Sequence, residues 1–227
     1  MTDSFDLGAR FFGYGSLVNL ATHDYPDPTG ATLTGWRRVW RHALARPVAF
    51  LSVEPCANTT LHGITAQVPR GDWAALDLRE HAYLRRDVSA QFRVPTAVFE
   101  ANPSHTAPSS TGHPILLSYL DVVVAGFATL MGDDPNSGGA AHFFATTTGW
   151  GPVLDDRAAP LYPRAQPLHP DTRATVDAAL AALAVPVQPA QSARLLVDAT
   201  RASRPTAATA ATSLHDTVGH DQRDQPE

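Results

Sequence analysis

Residues 11–17 read FFGYGSL. An apolar pair runs into two glycines that bracket Tyr14, and Ser16 and Leu17 follow. Phe11 and Phe12 read as the core of a first strand, predicted over Arg10–Tyr14. Glycine is costly inside a strand, because it adds backbone entropy to the unfolded chain and packs nothing. Two of them this close together predict a strand end where another group must approach the bare backbone.

Several glycine-loop chemistries fail on these residues. A phosphate loop needs G-x-x-x-x-G-K-[ST], and the chain has no lysine at all. A dinucleotide fingerprint needs a third glycine, and Val18 stands in its place. A hydrolase elbow needs glycine two residues before and two after its serine. Here Gly15 directly precedes Ser16 and Val18 lies two beyond it. Ser16 otherwise reads as a turn residue bonding local backbone.

Composition narrows the rest. The chain has 227 residues, 44% of them hydrophobic, and a formal net charge of −5. That length suits one domain, and the absence of a basic block argues against nucleic acid as a partner. The single cysteine, Cys56, forms no intramolecular disulfide and reads as a small buried hydrophobe or, less simply, a nucleophile. The ten histidines show no H-E-x-x-H spacing, so no metal site is expected. Asp133 and Asp134 lie in a turn-like GDDPNSGG run that lacks a calcium-loop pattern. The N-terminus carries acids rather than a long apolar stretch. The longest apolar run, PILLSYLDVVVAGFATLM, contains Ser118 and Asp121 and is short for a membrane span. A buried helix and a cytoplasmic chain are the expectation, with no membrane partner.

Strands come early and helices late. Short apolar runs at 32–40, 48–53, 63–68, 83–88 and 92–99 are bounded by Pro, Gly and Asn. Asp72 reads as the cap of a helix over WAALDLREH. Pro114 opens a second helix, Gly138–Ala145 makes a shorter one, and Asp171 opens the last. This order predicts an α+β fold rather than alternating βαβ units. From Leu196 onward large apolar residues are few. Residues 202–227 are expected to be disordered, which leaves a domain over 1–201.

Four stretches exceed plain scaffold: FGYGSL, LTGWRRVW at 33–40, LDLREHAYLRRDV at 76–88 and DDRAAPLYPR at 155–164. In that order they resemble the γ-glutamylcyclotransferase-like superfamily, which includes the ChaC, AIG2-like and butirosin-pathway cyclotransferases. The resemblance covers roughly residues 10–165. It implies a small mixed β-barrel with surrounding helices. It also implies a cofactor-free, metal-free conversion of a small γ-glutamyl amine or peptide to 5-oxoproline and a free amine. It assigns the general acid/base to Glu80, and substrate binding to Tyr14, Gly15, Ser16 and Leu17.

The residues suit that chemistry. The substrate's α-amine attacks its own γ-carbonyl, so the site must hold a folded conformer and move a proton. A bare loop supplies amides for the oxyanion. Glu80 is otherwise a solvated helix-end acid paired with Arg79 or Arg85. Arg37 is a candidate seat for the substrate carboxylate, or else a surface arginine. Tyr83 orients Glu80 or substrate, or else packs on the sheet; Tyr14 lines the pocket or the core. Residues 155–164 form a polar lip, or hold a structural ion pair through Asp156. His81 stands where the family often has glycine, which keeps open a non-catalytic binding module on the same fold.

Overall fold

The first strand, β1 (Arg10–Gly13), lies inside a mixed sheet, antiparallel to one neighbour and parallel to the other. Because successive side chains point to opposite faces, its two phenylalanines serve two cores. Phe12 joins the main apolar cluster, and Phe11 joins a smaller one on the other face. Both are essentially without solvent exposure. The computed structural model describes residues 8–132 and 138–189. Asp133, Asp134 and the expected disordered tail lie outside the described residues.

The remaining elements follow in chain order: β2 (Thr29–Ala43), β3 (Ala49–Gln67), α1 (Ala74–Arg79), β4 (Tyr83–Asp87), β5 (Thr96–Ala101) and β6 (Thr106–Ala107). Next come β7 (Ile115–Leu116), α2 (Leu117–Met131), α3 (Gly139–Ala145), β8 (Thr147–Thr148), β9 (Val153–Leu154), α4 (Pro170–Ala182) and β10 (Val187–Gln188). The fold is α+β, with strands early and helices late. The main sheet runs β4-β5-β1-β3-β2-β6, with β8 also on β2. A three-stranded parallel sheet, β10-β9-β7, stands apart.

The two runs expected at 48–53 and 63–68 are one long strand, β3. The intervening PCANTT carries a register shift against β2: Pro55 pairs with Trp36 and Thr60 with Thr34, and the four residues between them oppose Gly35 alone. A bulge between Thr34 and Trp36, at Gly35 with φ +84°, bends this hairpin. One half of β3 therefore pairs along β1, while the other half reaches toward β5. No backbone ladder closes that seam among the described residues, so the expected barrel is left open. Side chains bridge it instead. The Ala101 N–H donates to the buried Ser52 Oγ at 2.9 Å, and the Tyr83 hydroxyl donates to the Leu51 carbonyl at 2.8 Å.

α2 fills the main core with Leu117, Leu120, Val123, Val124 and Phe127, all buried. It starts three residues after Pro114, because Ile115 and Leu116 first pair with β9. It also fixes the segment after β1. A Cβ on Gly126 would sit 2.6 Å from the Asn19 backbone nitrogen, so the helix approaches at backbone contact. Asn19 Nδ2 donates to the Val122 carbonyl at 2.9 Å. No helix among the described residues is long and apolar enough to cross a membrane.

Candidate active site

After β1 the chain turns through Tyr14 and Gly15 into a 3-10 turn, Ser16–Val18, closed by Val18 N–H to Gly15 carbonyl at 2.9 Å. The first amides of such a turn have no acceptor within it. Gly15 is required by its neighbours. A Cβ there would lie 2.8 Å from the Tyr119 hydroxyl of α2 and 3.2 Å from Leu51 Cδ2. The Tyr14 hydroxyl donates to the Phe99 carbonyl at 2.6 Å, and its backbone carbonyl accepts from Arg38 Nε at 2.8 Å.

Tyr14, Gly15, Ser16 and Leu17 line one wall of a cavity of about 540 Å³. Glu80 and Tyr83 line the same cavity, so six of the seven residues singled out above come together. Glu80 ends α1, where its N–H caps back onto the Leu76 carbonyl. Its side chain is only 16% exposed. It is therefore not a solvated helix-end acid, although Arg79 Nε does reach Glu80 Oε1 at 3.1 Å. Arg85 is engaged elsewhere, with Asp77 at 3.2 Å.

Burial dominates the electrostatics of Glu80 and raises its pKa above the ordinary 4.5. Arg79, by charge and hydrogen bond, and Arg164, by charge, pull the other way. A carboxylate held between desolvation and cations is poised to gain and lose a proton. The neighbouring phenols Tyr14, Tyr83 and Tyr119 are pushed up, chiefly by burial and further by the Glu80 charge, so they stay protonated.

Arg37 is the exception. It lies outside the cavity, on the solvent side of β2, paired with Glu54 at 2.6 Å beside Arg41. Its neighbour Arg38 faces inward and is fully buried. Trp36, Arg38 and Trp40 share one face of the strand, so period-two parity in GWRRVW carries the signal for this inward arginine. Arg38 donates to the Tyr14 carbonyl, to Thr146 Oγ1 at 2.7 Å and to the His62 carbonyl. Its guanidinium stacks 4.7 Å from the Phe127 ring centre. Burial lowers its pKa to about 9, which leaves it cationic at neutral pH. It makes no ion pair with an acid among the described residues, so carbonyl dipoles and ring faces hold the charge.

The 155–164 segment forms a rim of the cavity, lined by Leu161, Tyr162, Pro163 and Arg164. Among the described residues Asp156 pairs with no arginine. It caps the start of α2, accepting from the Ser118 N–H at 2.8 Å and Oγ at 2.6 Å, and from the Leu161 N–H at 2.9 Å. The ion pair belongs to Arg157, which grips Asp121 at 2.7 Å through two nitrogens and Asp177 at 2.6 Å. The rim is thus bolted to α2 and α4.

Sequence reasoning missed Tyr119, whose only signal is a polar-tipped aromatic inside an apolar helix. It also missed the exposed Arg46, on the turn between β2 and β3. Cys56 lies away from the cavity, within 3.2 Å of Thr59 Oγ1. Among the described residues no group of three His, Cys, Asp or Glu is placed to hold a metal ion.

No family model and no curated protein matches the sequence. Solved structures with a similar arrangement include a γ-glutamyl cyclotransferase, at 12% identity and TM-score 0.41, covering 53% of this chain and 78% of that one. YkqA from Bacillus subtilis is 18% identical with TM-score 0.43, covering 54% of this chain and 48% of its own. A glutathione-specific γ-glutamyl cyclotransferase from yeast is 15% identical with TM-score 0.38, covering 54% and 85%. Each overlap spans about half of this chain, and the chemistry is read from the cavity itself.

Proposed function

We propose that this chain is a γ-glutamylcyclotransferase-like enzyme that converts a γ-glutamyl amine or peptide to 5-oxoproline and a free amine. The observation that carries the reading is a buried glutamate with a raised pKa, Glu80, on the same cavity as the bare backbone turn Tyr14–Leu17.

The reaction is intramolecular. Glu80 takes a proton from the substrate's α-ammonium, and the freed amine attacks the γ-carbonyl carbon. The new C–N bond closes a five-membered ring, and negative charge gathers on the former carbonyl oxygen. The Leu17 amide, which has no acceptor within its turn, and the Ser16 amide, which faces the Tyr119 hydroxyl, are suited to receive that charge. Glu80 then returns a proton to the departing nitrogen as the original amide C–N bond breaks. The ring nitrogen loses its second ammonium proton to solvent as the lactam forms, and the released amine takes one up from solvent, so the protons balance. The substrate's α-carboxylate finds cations on the Glu80 side. Arg164 is unpaired with any acid among the described residues. Arg79 Nη2 is buried without a hydrogen-bond partner. These two replace Arg37 in that role. The phenols of Tyr14 and Tyr83, bonded to backbone carbonyls, hold the cavity wall.

The test is 5-oxoproline release from a panel of γ-glutamyl amines, γ-glutamyl amino acids and glutathione. Product from at least one member is expected. Silence across the panel, with ligand binding that survives Glu80→Ala, makes the chain a binding module instead.

Arg79 supplies a second prediction. Below its pKa the Glu80 carboxyl is protonated and accepts no proton, so kcat/KM falls on the acid side, with a midpoint above 4.5. Arg79→Gln removes a cation that favours the ionised form. The acid limb then moves to higher pH, measured in the pH–rate profile. A limb that stays put or moves down separates Arg79 from the proton affinity of Glu80.

A further inference from the structure

His62 of β3 and His142 of α3 lie ring on ring, with centroids 3.7 Å apart and an interplanar angle of 13°. Neither lines the cavity. The His62 backbone N–H donates to His142 Nε2 at 3.1 Å, so that nitrogen carries no proton. The same ring bonds the Thr60 carbonyl. A neutral imidazole has one donor and one acceptor and satisfies both contacts. An imidazolium has two donors and fails the first. His62 Nδ1 faces Met131 Sδ of α2 at 3.3 Å. Among the described residues the charged side chain acting on both rings is Arg38 of β2, and no carboxylate acts on either.

Arg38 ties this pair to the turn after β1. Its guanidinium donates to the His62 carbonyl and to Thr146 Oγ1, which in turn donates to the His142 carbonyl at 2.7 Å. Its Nε holds the Tyr14 carbonyl at 2.8 Å. α3, β3 and the Tyr14–Leu17 turn therefore share one buried cation.

We infer that the His62–His142 stack is an acid-sensitive latch: proton uptake by the pair separates α3 from β3 and frees the Tyr14–Leu17 turn from Arg38. A proton on His142 Nε2 sets two donors against each other at the His62 N–H. It also places a second cation beside the guanidinium, and rings in van der Waals contact admit no water between them to screen it. Burial first, and then the neighbouring charges, hold both rings below the ordinary 6.5, His142 at about 4. The unfolded chain thus binds protons that the folded chain refuses. The latch contributes fully above about pH 6.5 and is lost as the pH falls toward 4. It operates whether or not the cavity turns a substrate over.

The test is urea unfolding of the full chain at about pH 7 and pH 5, wild type beside His142→Gln. The glutamine offers Oε1 to the His62 N–H and does not titrate. Between the two pH values the wild-type folding constant is expected to fall about tenfold more than that of His142→Gln, allowing for the partial exposure of the rings. His105→Gln, at an exposed position, is expected to keep the wild-type fall. Amide hydrogen exchange, corrected for intrinsic rates, gives the second readout. Protection of Tyr14–Leu17 and of α3 is expected to fall together at the lower pH in the wild type and to hold in His142→Gln. Equal falls in the folding constant, or turn protection that the variant leaves unchanged, overturn the inference. If His142→Gln does not fold, NMR titration of the wild-type rings decides. A His142 ring still neutral at the lower pH, with turn protection falling between the two, upholds the latch. A ring that titrates near its ordinary value, or turn protection that stays constant, overturns it.

Discussion

Glu80→Gln is expected to lower kcat by about 10²- to 10⁴-fold, the range that a positioned general acid/base supplies. The amide keeps the size of the side chain and an oxygen facing Arg79 Nε, so the fold should persist. It has no acidic proton to exchange, so neither the attacking ammonium nor the departing nitrogen is served. The raised pKa gives the loss its sign: desolvation makes Glu80 a better base than an exposed glutamate, and the amide has no such basicity. The check is initial rate of 5-oxoproline release beside far-UV circular dichroism and melting temperature. Full activity in a folded Glu80→Gln protein removes Glu80 from the mechanism. An unfolded variant shifts the same question to Glu80→Asp, which retains the carboxylate but withdraws it from the cavity by one methylene.

Arg38→Met is expected to be the most damaging change away from the reacting atoms. Methionine fills much of the same volume but donates nothing. The carbonyls of Tyr14 and His62 and the hydroxyl of Thr146 then lose their buried donor. Each orphaned group costs about 1–3 kcal/mol. Relief of the buried charge offsets part of that, and a net loss of about 2–4 kcal/mol follows. The consequence reaches the site, because the Tyr14 carbonyl is what Arg38 tethers. A turn displaced by about 1 Å can cost a hundredfold in rate. Arg37→Met, one residue away on the exposed side, is expected within about 0.5 kcal/mol of wild type. Chemical denaturation of both variants measures the contrast, and equal midpoints would contradict the tether.

That pair shows where sequence and structure part. The strand pattern, FFGYGSL and the Glu80 helix were legible because they are local. Apolar runs, a glycine-bracketed turn and a capped helix each declare themselves within a few residues. The inward face of Arg38 was legible too, through Trp36 and Trp40 on the same parity, whereas Arg37, offered as a carboxylate seat or a surface arginine beside Arg38 and Arg41, is the surface arginine. The union of 48–53 and 63–68 into one strand was not legible. PCANTT has turn composition, and only the pairing of its two ends with β2, on either side of the Gly35 bulge, carries the strand through it. The open seam, bridged by Ser52 Oγ and the Tyr83 hydroxyl, depends on contacts between segments tens of residues apart. The same holds for the cavity, where Tyr119, Arg46 and Arg164 arrive from three separate elements. In the 155–164 segment the residues were found but their roles were exchanged. Asp156 caps a helix, and Arg157 makes the ion pair.

The most direct measurement is a crystal structure with 5-oxoproline bound. The account predicts the lactam nitrogen within about 3 Å of the Glu80 carboxylate, and the ring carbonyl oxygen at a similar distance from the Ser16 and Leu17 amides. Product seated away from the Tyr14–Leu17 turn, or a Glu80 carboxylate that makes no contact with the lactam, would contradict it.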